Sequence, residues 1–369
     1  MIWFSLIIPI LIIIYLLIYH RKAIKWWEIL AQFAVCLIVI AICITTVGYL
    51  QTKDTEWWGN LGMKAIHDEP YDYMSICTRT VSCGKDCTTL ESYPCVESVS
   101  RHCWLRKDNG KNMHISYAKY KELVNRWGGK EKFIDMHRDY YSYDGDRYVI
   151  NWNLNPLTSE SIVTEHSYEN KVAASSDVFN FPEVSKEDKE HYGLYDYPIL
   201  SGYEQVTILD HEKNHVNKSY SKYWRFLNGK LGPSKQVRLW VLIFRNQPLQ
   251  AGHLQEAYWK GGNKNEFVYC IGVDKNENIK WGHIISWTES QVLKIEARDF
   301  VSNMGKLDLQ VLAEWTDKEI SSKFIRKPFK DFNYLQVKPS GLSIVLSYIV
   351  ILIVNIGMAL WIVKNNFYD

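Results

Sequence analysis

The chain has 369 residues, enough for more than one domain of roughly 100 to 200 residues, and its charges nearly balance. The formal net charge is +2, and charged residues make up 23% of the chain. A nucleic-acid-binding protein normally concentrates basic residues on one surface, and no such concentration is evident here. We therefore expect no nucleic-acid partner.

Three long stretches contain no charged residue: residues 2–19, 29–50 and 340–363. Each approaches or exceeds the roughly 20 residues that an apolar helix needs to cross the hydrocarbon core of a bilayer. The first stretch lacks the basic beginning and the small-residue cleavage site of a signal peptide, which favours an uncleaved helix. The sequence therefore predicts three transmembrane helices, with residues 1–50 forming a hairpin and residues 364–369 a short tail.

The side of the membrane on which residues 51–339 lie is predicted from basic residues and cysteines. The short turn over residues 20–28 is basic, which favours a cytoplasmic position for this turn and for the tail. A second basic cluster precedes the last apolar stretch and favours the opposite orientation; it comprises Lys323, Arg326, Lys327, Lys330 and Lys338. Dense cysteines after residue 70 suit an oxidising compartment. We therefore predict a multi-pass membrane protein, in contact with the lipid bilayer, whose large domain is periplasmic, luminal or extracellular.

Five cysteines crowd into one polar stretch and are candidates for disulfide bonds: Cys77, Cys83, Cys87, Cys95 and Cys103. An odd number leaves two bridges with one spare thiol, or a third bridge that reaches Cys270. The alternative is a zinc site formed by Cys83, Cys87, Cys95, His102 and Cys103. Structural zinc sites favour C-x-x-C pairs, which the stretch lacks, so disulfides are the preferred interpretation.

The polar region is predicted to contain two parts, a cysteine-rich, loop-rich subdomain over residues 51–160 and an α/β domain over residues 161–339. In the first part, a serine start and a Gly128-Gly129 stop predict a helix over residues 116–127. The second part alternates amphipathic and continuously apolar segments, which predicts a compact layer of helices on a small sheet. Its predicted helices are 211–227, 248–259, 290–304 and 307–324, with a turn at 229–233, and its predicted strands are 237–244, 266–274 and 279–287. The fold class expected for the whole chain is thus membrane-anchored α+β and α/β.

Residues 211–215 match the H-E-x-x-H pattern of zinc peptidases. On a helix, His211 and His215 would share one face and bind zinc, while Glu212 would activate the bound water. Glu256 on the next predicted helix is the candidate third ligand. Lys213 and Asn214 occupy positions that are normally uncharged and buried in such enzymes, which favours an ordinary solvated helix.

Asp274 begins a D-x-N-x-N sequence that resembles the start of a calcium loop. The sixth and twelfth positions are Ile279 and Ile285, where such a loop needs glycine and glutamate. A turn between two strands explains the sequence better, although Asp274 stands at a strand end where a divalent cation could bind.

Three segments resemble the TPM domain family: KQVRLWVLI at 235–243, WKGGNKNEFV at 259–268 and IGVD at 271–274. The resemblance covers about residues 205–325. It implies an extracytoplasmic α/β domain, often anchored by a carboxyl-terminal helix, in accessory or assembly factors for membrane complexes, with phosphatase activity proposed for some members. The family's acidic pair is reduced here to Asp274 followed by Lys275, so only Asp274 is carried over.

These patterns lead to three hypotheses. The first is a non-catalytic, disulfide-stapled extracytoplasmic domain, without a cofactor, that binds a protein partner or its own copies, or helps to assemble a membrane complex. The second is a membrane-anchored zinc metallopeptidase that uses His211, Glu212 and His215. The third, by resemblance alone, is a TPM-like phosphatase.

Overall fold

The computed structural model describes residues 2–19, 24–84, 87–136, 145–175, 181–203, 206–212 and 218–366. Within these residues the α-helices are α1 (Ile7–Tyr19), α2 (Trp26–Thr52), α3 (Tyr117–Trp127), α4 (Lys171–Ala174), α5 (Lys186–His191), α6 (Lys218–Lys235), α7 (Gln250–Tyr258), α8 (Gln291–Asn303), α9 (Leu309–Lys323) and α10 (Gly341–Asn366). The strands are β1 (Lys53–Asp68), β2 (Tyr71–Gly84), β3 (Cys87–Val99), β4 (His102–Lys107), β5 (Asn112–His114), β6 (Lys132–Ile134), β7 (Arg147–Asn151), β8 (Ser161–Glu169), β9 (Ile208–Asp210), β10 (Arg238–Arg245), β11 (Glu266–Val273) and β12 (Ile279–Ser286).

The chain divides into two compact units. The first contains Met1–Thr55, Ser167–Phe181 and Pro328–Asp369, and the second contains Glu56–His166 and Pro182–Lys327. The division differs from the predicted boundaries at residues 50, 160 and 339, because segments distant in the sequence pack together in the first unit.

In the first unit, the long apolar helices α2 and α10 pack against each other. Cys36, Ile40 and Ile351 are fully buried between apolar neighbours. The side-chain amide of Gln32 donates to the backbone oxygen of Asn355 at 3.0 Å and to its side-chain oxygen at 3.3 Å. The Gln32 amide thus donates across an otherwise apolar contact, while the Asn355 side-chain amide donates to the Ile351 carbonyl oxygen at 2.8 Å within α10.

Two helices of the described residues are long and apolar enough to cross a membrane, Trp26–Thr52 and Gly341–Asn365. The prediction of three such helices is wrong for residues 2–19. This stretch forms a 3₁₀ turn over Ile2–Leu6 followed by α1, which has 13 residues. A helix of that length spans only about 20 Å, less than the roughly 30 Å of a bilayer core.

The cysteine-rich region is built from strands, so the prediction of a loop-rich subdomain is wrong. β1 lies in the middle of a sheet with the order β5-β4-β1-β7-β6, and β8 also pairs with β1. The sequence predicted loops here because the strands carry mixed polar and aromatic residues. The strands are evident only from their pairing with one another. The predicted helix at 116–127 is confirmed as α3. Ser116 caps it by accepting a hydrogen bond from the backbone of Lys119, and Gly128 ends it with a φ of 65°.

β2 and β3 form a two-stranded antiparallel ribbon, in which the two strands pair with each other along their length. We call residues 71–99 the arm. β2 has 14 residues, which corresponds to about 45 Å of extended chain. Long two-stranded ribbons are at best marginally stable by themselves, so the arm needs additional support.

The remainder of the second unit is a layered α/β structure around a sheet with the order β12-β11-β10-β9. β9, β10 and β11 are parallel, and β12 pairs antiparallel with β11. The predicted strands and the last three predicted helices are present with small shifts at their ends. The short edge strand β9 was not predicted, because three residues carry too little periodicity.

The predictions of a helix over residues 211–227 and of a turn over residues 229–233 are wrong. The helix α6 begins at Lys218 and runs through residues 229–233 to Lys235. Gly229 and Gly232 lie against β1: a Cβ atom at Gly232 would stand 2.2 Å from the backbone oxygen of Gly59. Close packing, and not turn geometry, thus explains these glycines.

Replacement of Gly272 by alanine is expected to destabilise the second unit by about 2 kcal/mol. A Cβ atom at this position of β11 would stand 2.1 Å from the indole ring of Trp281, which is held by a 2.8 Å hydrogen bond to the Gln247 carbonyl. The measurement is the thermal midpoint of the near-ultraviolet circular dichroism signal. Gly129→Ala is the matched control, because its Cβ would make only an ordinary 3.5 Å contact with Ile150. Equal midpoints for the two variants would contradict the prediction.

Candidate functional site

The H-E-x-x-H segment does not place its first two residues on a helix. His211 and Glu212 follow β9 in a bend, and His215 lies outside the described residues. The His211 ring stacks on Tyr195, with ring centroids 4.2 Å apart, and its Nε2 atom lies 2.9 Å from the Gly193 carbonyl oxygen. His211 therefore makes packing and hydrogen-bonding contacts that position the 193–195 segment, and in the described part of the chain it belongs to no group of three metal-ligating side chains.

The carboxyl ends of β9 and β10 are joined by a buried ion pair. Arg245 donates to both carboxylate oxygens of Asp210, at 3.0 and 2.7 Å, and to Glu277 at 2.7 Å. The Asp210 side chain is only 2% exposed. The hydrogen bonds to Asp210 raise the pKa of Arg245, against the opposing effect of burial, and Glu277 raises it further. Parallel sheets often bind ligands at this edge, but here Asp210 and Arg245 are already paired with each other.

Asp274 is engaged by its own turn. One carboxylate oxygen accepts from the backbone amides of Asn276 and Asn278, and the other accepts from the Asn278 side chain, all at 2.8 to 2.9 Å. The pKa of Asp274 lies well below its usual range, chiefly because of the two hydrogen bonds from Asn278. Lys280 is 3.1 Å away. These contacts account for the D-x-N-x-N sequence as a strand-to-strand turn.

Glu256, the predicted third zinc ligand, has different neighbours from those expected. Its carboxylate Oε2 lies 2.8 Å from Nε2 of His283 on β12. His253, one turn earlier on α7, places its ring 4.7 Å from that of His283. One ligand atom from each of these three residues lies within 4.8 Å of the other two. We refer to His253, Glu256 and His283 as the histidine–glutamate cluster.

The fold holds this cluster by close contact of α7 with β12. His253 and Glu256 are three residues apart and so share one helix face. A Cβ atom at Gly252 would stand 3.0 Å from Trp281 and 3.2 Å from the Cβ of His283. The glycine thus allows the helix to approach the strand closely enough for Glu256 to reach His283. The H-x-x-E spacing was visible in the sequence, but the position of His283 opposite it was not.

The arm carries the disulfide. Cys77 and Cys95 are bonded, with Cα atoms 5.8 Å apart on neighbouring strands. The prediction is wrong for Cys103, which is a free thiol buried in the core of the β1 sheet, where burial raises its pKa. Cys270 is also free and buried, so it forms no third bridge. The side chains of Cys83 and Cys87 lie outside the described part of the structure.

The two faces of the arm differ in character. The face with the disulfide is internally bonded: Tyr73 donates to Glu97 at 2.6 Å, and Arg79 pairs with Glu91 at 2.8 Å. On the opposite face the register places Met74 beside Val96 and Ile76 beside Pro94, with Leu90 farther along. Ile76 and Leu90 are each 75% exposed. We call this second surface the apolar face of the arm; its residues are Met74, Ile76, Leu90, Pro94 and Val96.

Comparison of the chain with protein-family models, with curated proteins and with solved structures found no match. The resemblance to the TPM domain stays a prediction.

Replacement of Arg245 by alanine is expected to cost about 3 kcal/mol, because it leaves the buried Asp210 carboxylate without its cation. Arg298→Ala, which removes an exposed pair with Asp299, is the control and is expected to change stability by less than about 0.5 kcal/mol. Thermal unfolding of both variants at neutral pH is the measurement. If Arg245→Ala left thermal unfolding unchanged, the ion pair would not be what stabilises this edge of the sheet.

Proposed function

We propose that this chain is a membrane-anchored protein that uses the arm, on the extracytoplasmic side, to bind another protein. The observation that carries the proposal is the apolar face of the arm, an exposed surface on a disulfide-bonded ribbon.

Anchoring is supported by α2 and α10, the two helices of sufficient length and apolarity. At 27 residues, α2 extends for about 40 Å, which exceeds the hydrocarbon core and allows its ends to reach both headgroup layers. Trp26 and Trp27 at one end and Tyr49 near the other suit the two interfaces. The amide contact between Gln32 and Asn355 joins the helices where hydrogen-bonding solvent would be absent.

The extracytoplasmic side is supported by two features. The basic residues Arg21, Lys22 and Lys25 precede α2 and favour a cytoplasmic amino-terminal end. With two spans, residues 53–340 would lie on the opposite side, and the tail after α10 would lie on the same side as the amino-terminal end. The Cys77–Cys95 disulfide suits the oxidising conditions outside the cytoplasm.

Protein binding is supported by the form of the arm. An isolated ribbon exposes its backbone and both faces, so an ordered ribbon of this length requires a cross-link or a covering surface. The disulfide and the polar pairs support one face, while the apolar face has no cover within the described residues. Side chains of this size on a rigid ribbon are suitable anchors for a partner's apolar groove.

A lipid surface is a less suitable target for the arm than a protein. Residues 71–99 contain two basic and four acidic residues, a balance that anionic headgroups would repel. A second copy of the chain would present the same neutral apolar face and is an outcome that the experiment below separates.

The alternative functions have weaker support. A zinc peptidase based on His211, Glu212 and His215 requires a helix under the first two residues and free ligand nitrogens, whereas His211 is stacked and hydrogen-bonded. A TPM-like phosphatase would depend on Asp274, whose carboxylate is already occupied by its turn.

Membrane anchoring predicts that the full chain stays in the pellet when membranes are washed with alkaline carbonate. An epitope inserted at the exposed turn at Gly110 should be cleaved by protease added outside sealed cells, while one at the carboxyl terminus should be protected. Release of the chain by carbonate would contradict anchoring, and the reverse protection pattern would contradict the proposed side.

The binding function predicts that a photo-cross-linker at Leu90 forms one discrete adduct with another protein in the native membrane. Ile76→Asp should abolish this adduct by placing a desolvated charge in the interface. Thr89→Asp, an equal charge on the other face of the arm, is the control and should leave it unchanged.

An adduct of twice the chain mass would show that the partner is a second copy of the chain and not a different protein. Cross-linking to lipid alone, or an adduct insensitive to Ile76→Asp, would contradict the proposal. In each variant, formation of the Cys77–Cys95 bond is checked by the electrophoretic mobility of the protein without reductant.

A further inference from the structure

We propose that the histidine–glutamate cluster of α7 and β12 binds a divalent transition-metal ion of the zinc type. The site is formed by His253, Glu256 and His283, which lie within a single unit of the chain, and it is independent of the arm.

The donor atoms are close to the arrangement that zinc requires. Bonds of about 2.0–2.1 Å from zinc to nitrogen or oxygen place neighbouring ligand atoms of a tetrahedral site roughly 3.3 Å apart. The Glu256 and His283 atoms are already 2.8 Å apart, and the full set spans no more than 4.8 Å. His253 is exposed, so its ring can rotate to close the remaining distance without disturbing the core.

Two of the three ligands are held by the fold. His283 lies on a sheet strand between the buried residues Gly282 and Ile284, and its side chain is 17% exposed. Gly252 brings α7 against Trp281 and the Cβ atom of His283. A site built on a helix and a strand positions its ligands more firmly than one built on loops.

The donor set indicates the class of ion. Two imidazoles and one carboxylate suit zinc and neighbouring transition metals, whereas calcium and magnesium prefer oxygen donors alone. Three protein ligands leave a coordination position for water or another small ligand. The exposed His253 side of the cluster provides the path from solvent.

A hydrogen bond between Glu256 and His283 would exist without any metal, so the contribution of His253 distinguishes the two cases. A structural hydrogen bond needs only the pair. A metal site needs the third ligand, although His253 contributes nothing to the core.

The test is zinc binding by the full chain, purified in detergent with its accessible thiols alkylated, measured by equilibrium dialysis and metal analysis. We expect one zinc ion per chain, with His253→Ala weakening the affinity at least about tenfold and leaving the thermal midpoint of the metal-free protein unchanged. Glu256→Gln should weaken binding while it preserves a hydrogen bond to His283. The control is His191→Ala, which removes an exposed histidine on α5.

Cobalt provides a second readout that does not depend on affinity. Cobalt-loaded protein should show ligand-field bands without thiolate charge transfer, and His253→Ala should alter these bands. The proposal is overturned if the wild-type chain binds no zinc, if His253→Ala binds as tightly as wild type, or if His215→Ala abolishes binding while His253→Ala does not.

Discussion

The structure of the second unit depends on two adjacent parallel strands that are apolar on both faces. In β10, Leu239, Val241 and Ile243 point to one side of the sheet, while Trp240, Leu242 and Phe244 point to the other. A parallel pair of this kind is stable in water only when both faces are covered. Residues of α6, α8 and α9 cover the first face, and α7 with the segment around Tyr195 covers the second.

The polar groups of this unit follow from the same covering. The Asn228 side chain on α6 bonds to both backbone groups of Leu239, at 2.6 and 3.1 Å, and so fixes the helix to the strand. Arg245 neutralises Asp210 where two strands end. On the other face, the close contact of α7 with Trp281 brings the histidine–glutamate cluster together. Packing thus created the proposed metal site, because its three residues have no common motif in the sequence.

The arm is subject to the opposite constraint, since neither of its faces is covered by another described element. Its order is maintained by the ladder of β2 and β3, by the Cys77–Cys95 disulfide and by side-chain pairs on the disulfide face. Exposed apolar groups on the other face add no stability to the free chain. Their exposure on a cross-linked ribbon is the observation on which the proposed binding surface rests.

Local patterns in the sequence were sufficient for the elements whose signals lie within a few residues. Ser116 and Gly128 mark the ends of α3, uninterrupted apolar runs mark β10 and β11, and lengths of more than 20 uncharged residues mark α2 and α10. Tertiary structure alone decided that the cysteine-rich region is strands, because mixed polar and aromatic residues become a strand only when a partner supplies the backbone hydrogen bonds. It also decided that His211 packs on Tyr195 and that Glu256 faces His283, since residues far apart in the chain meet only after the sheet has been covered.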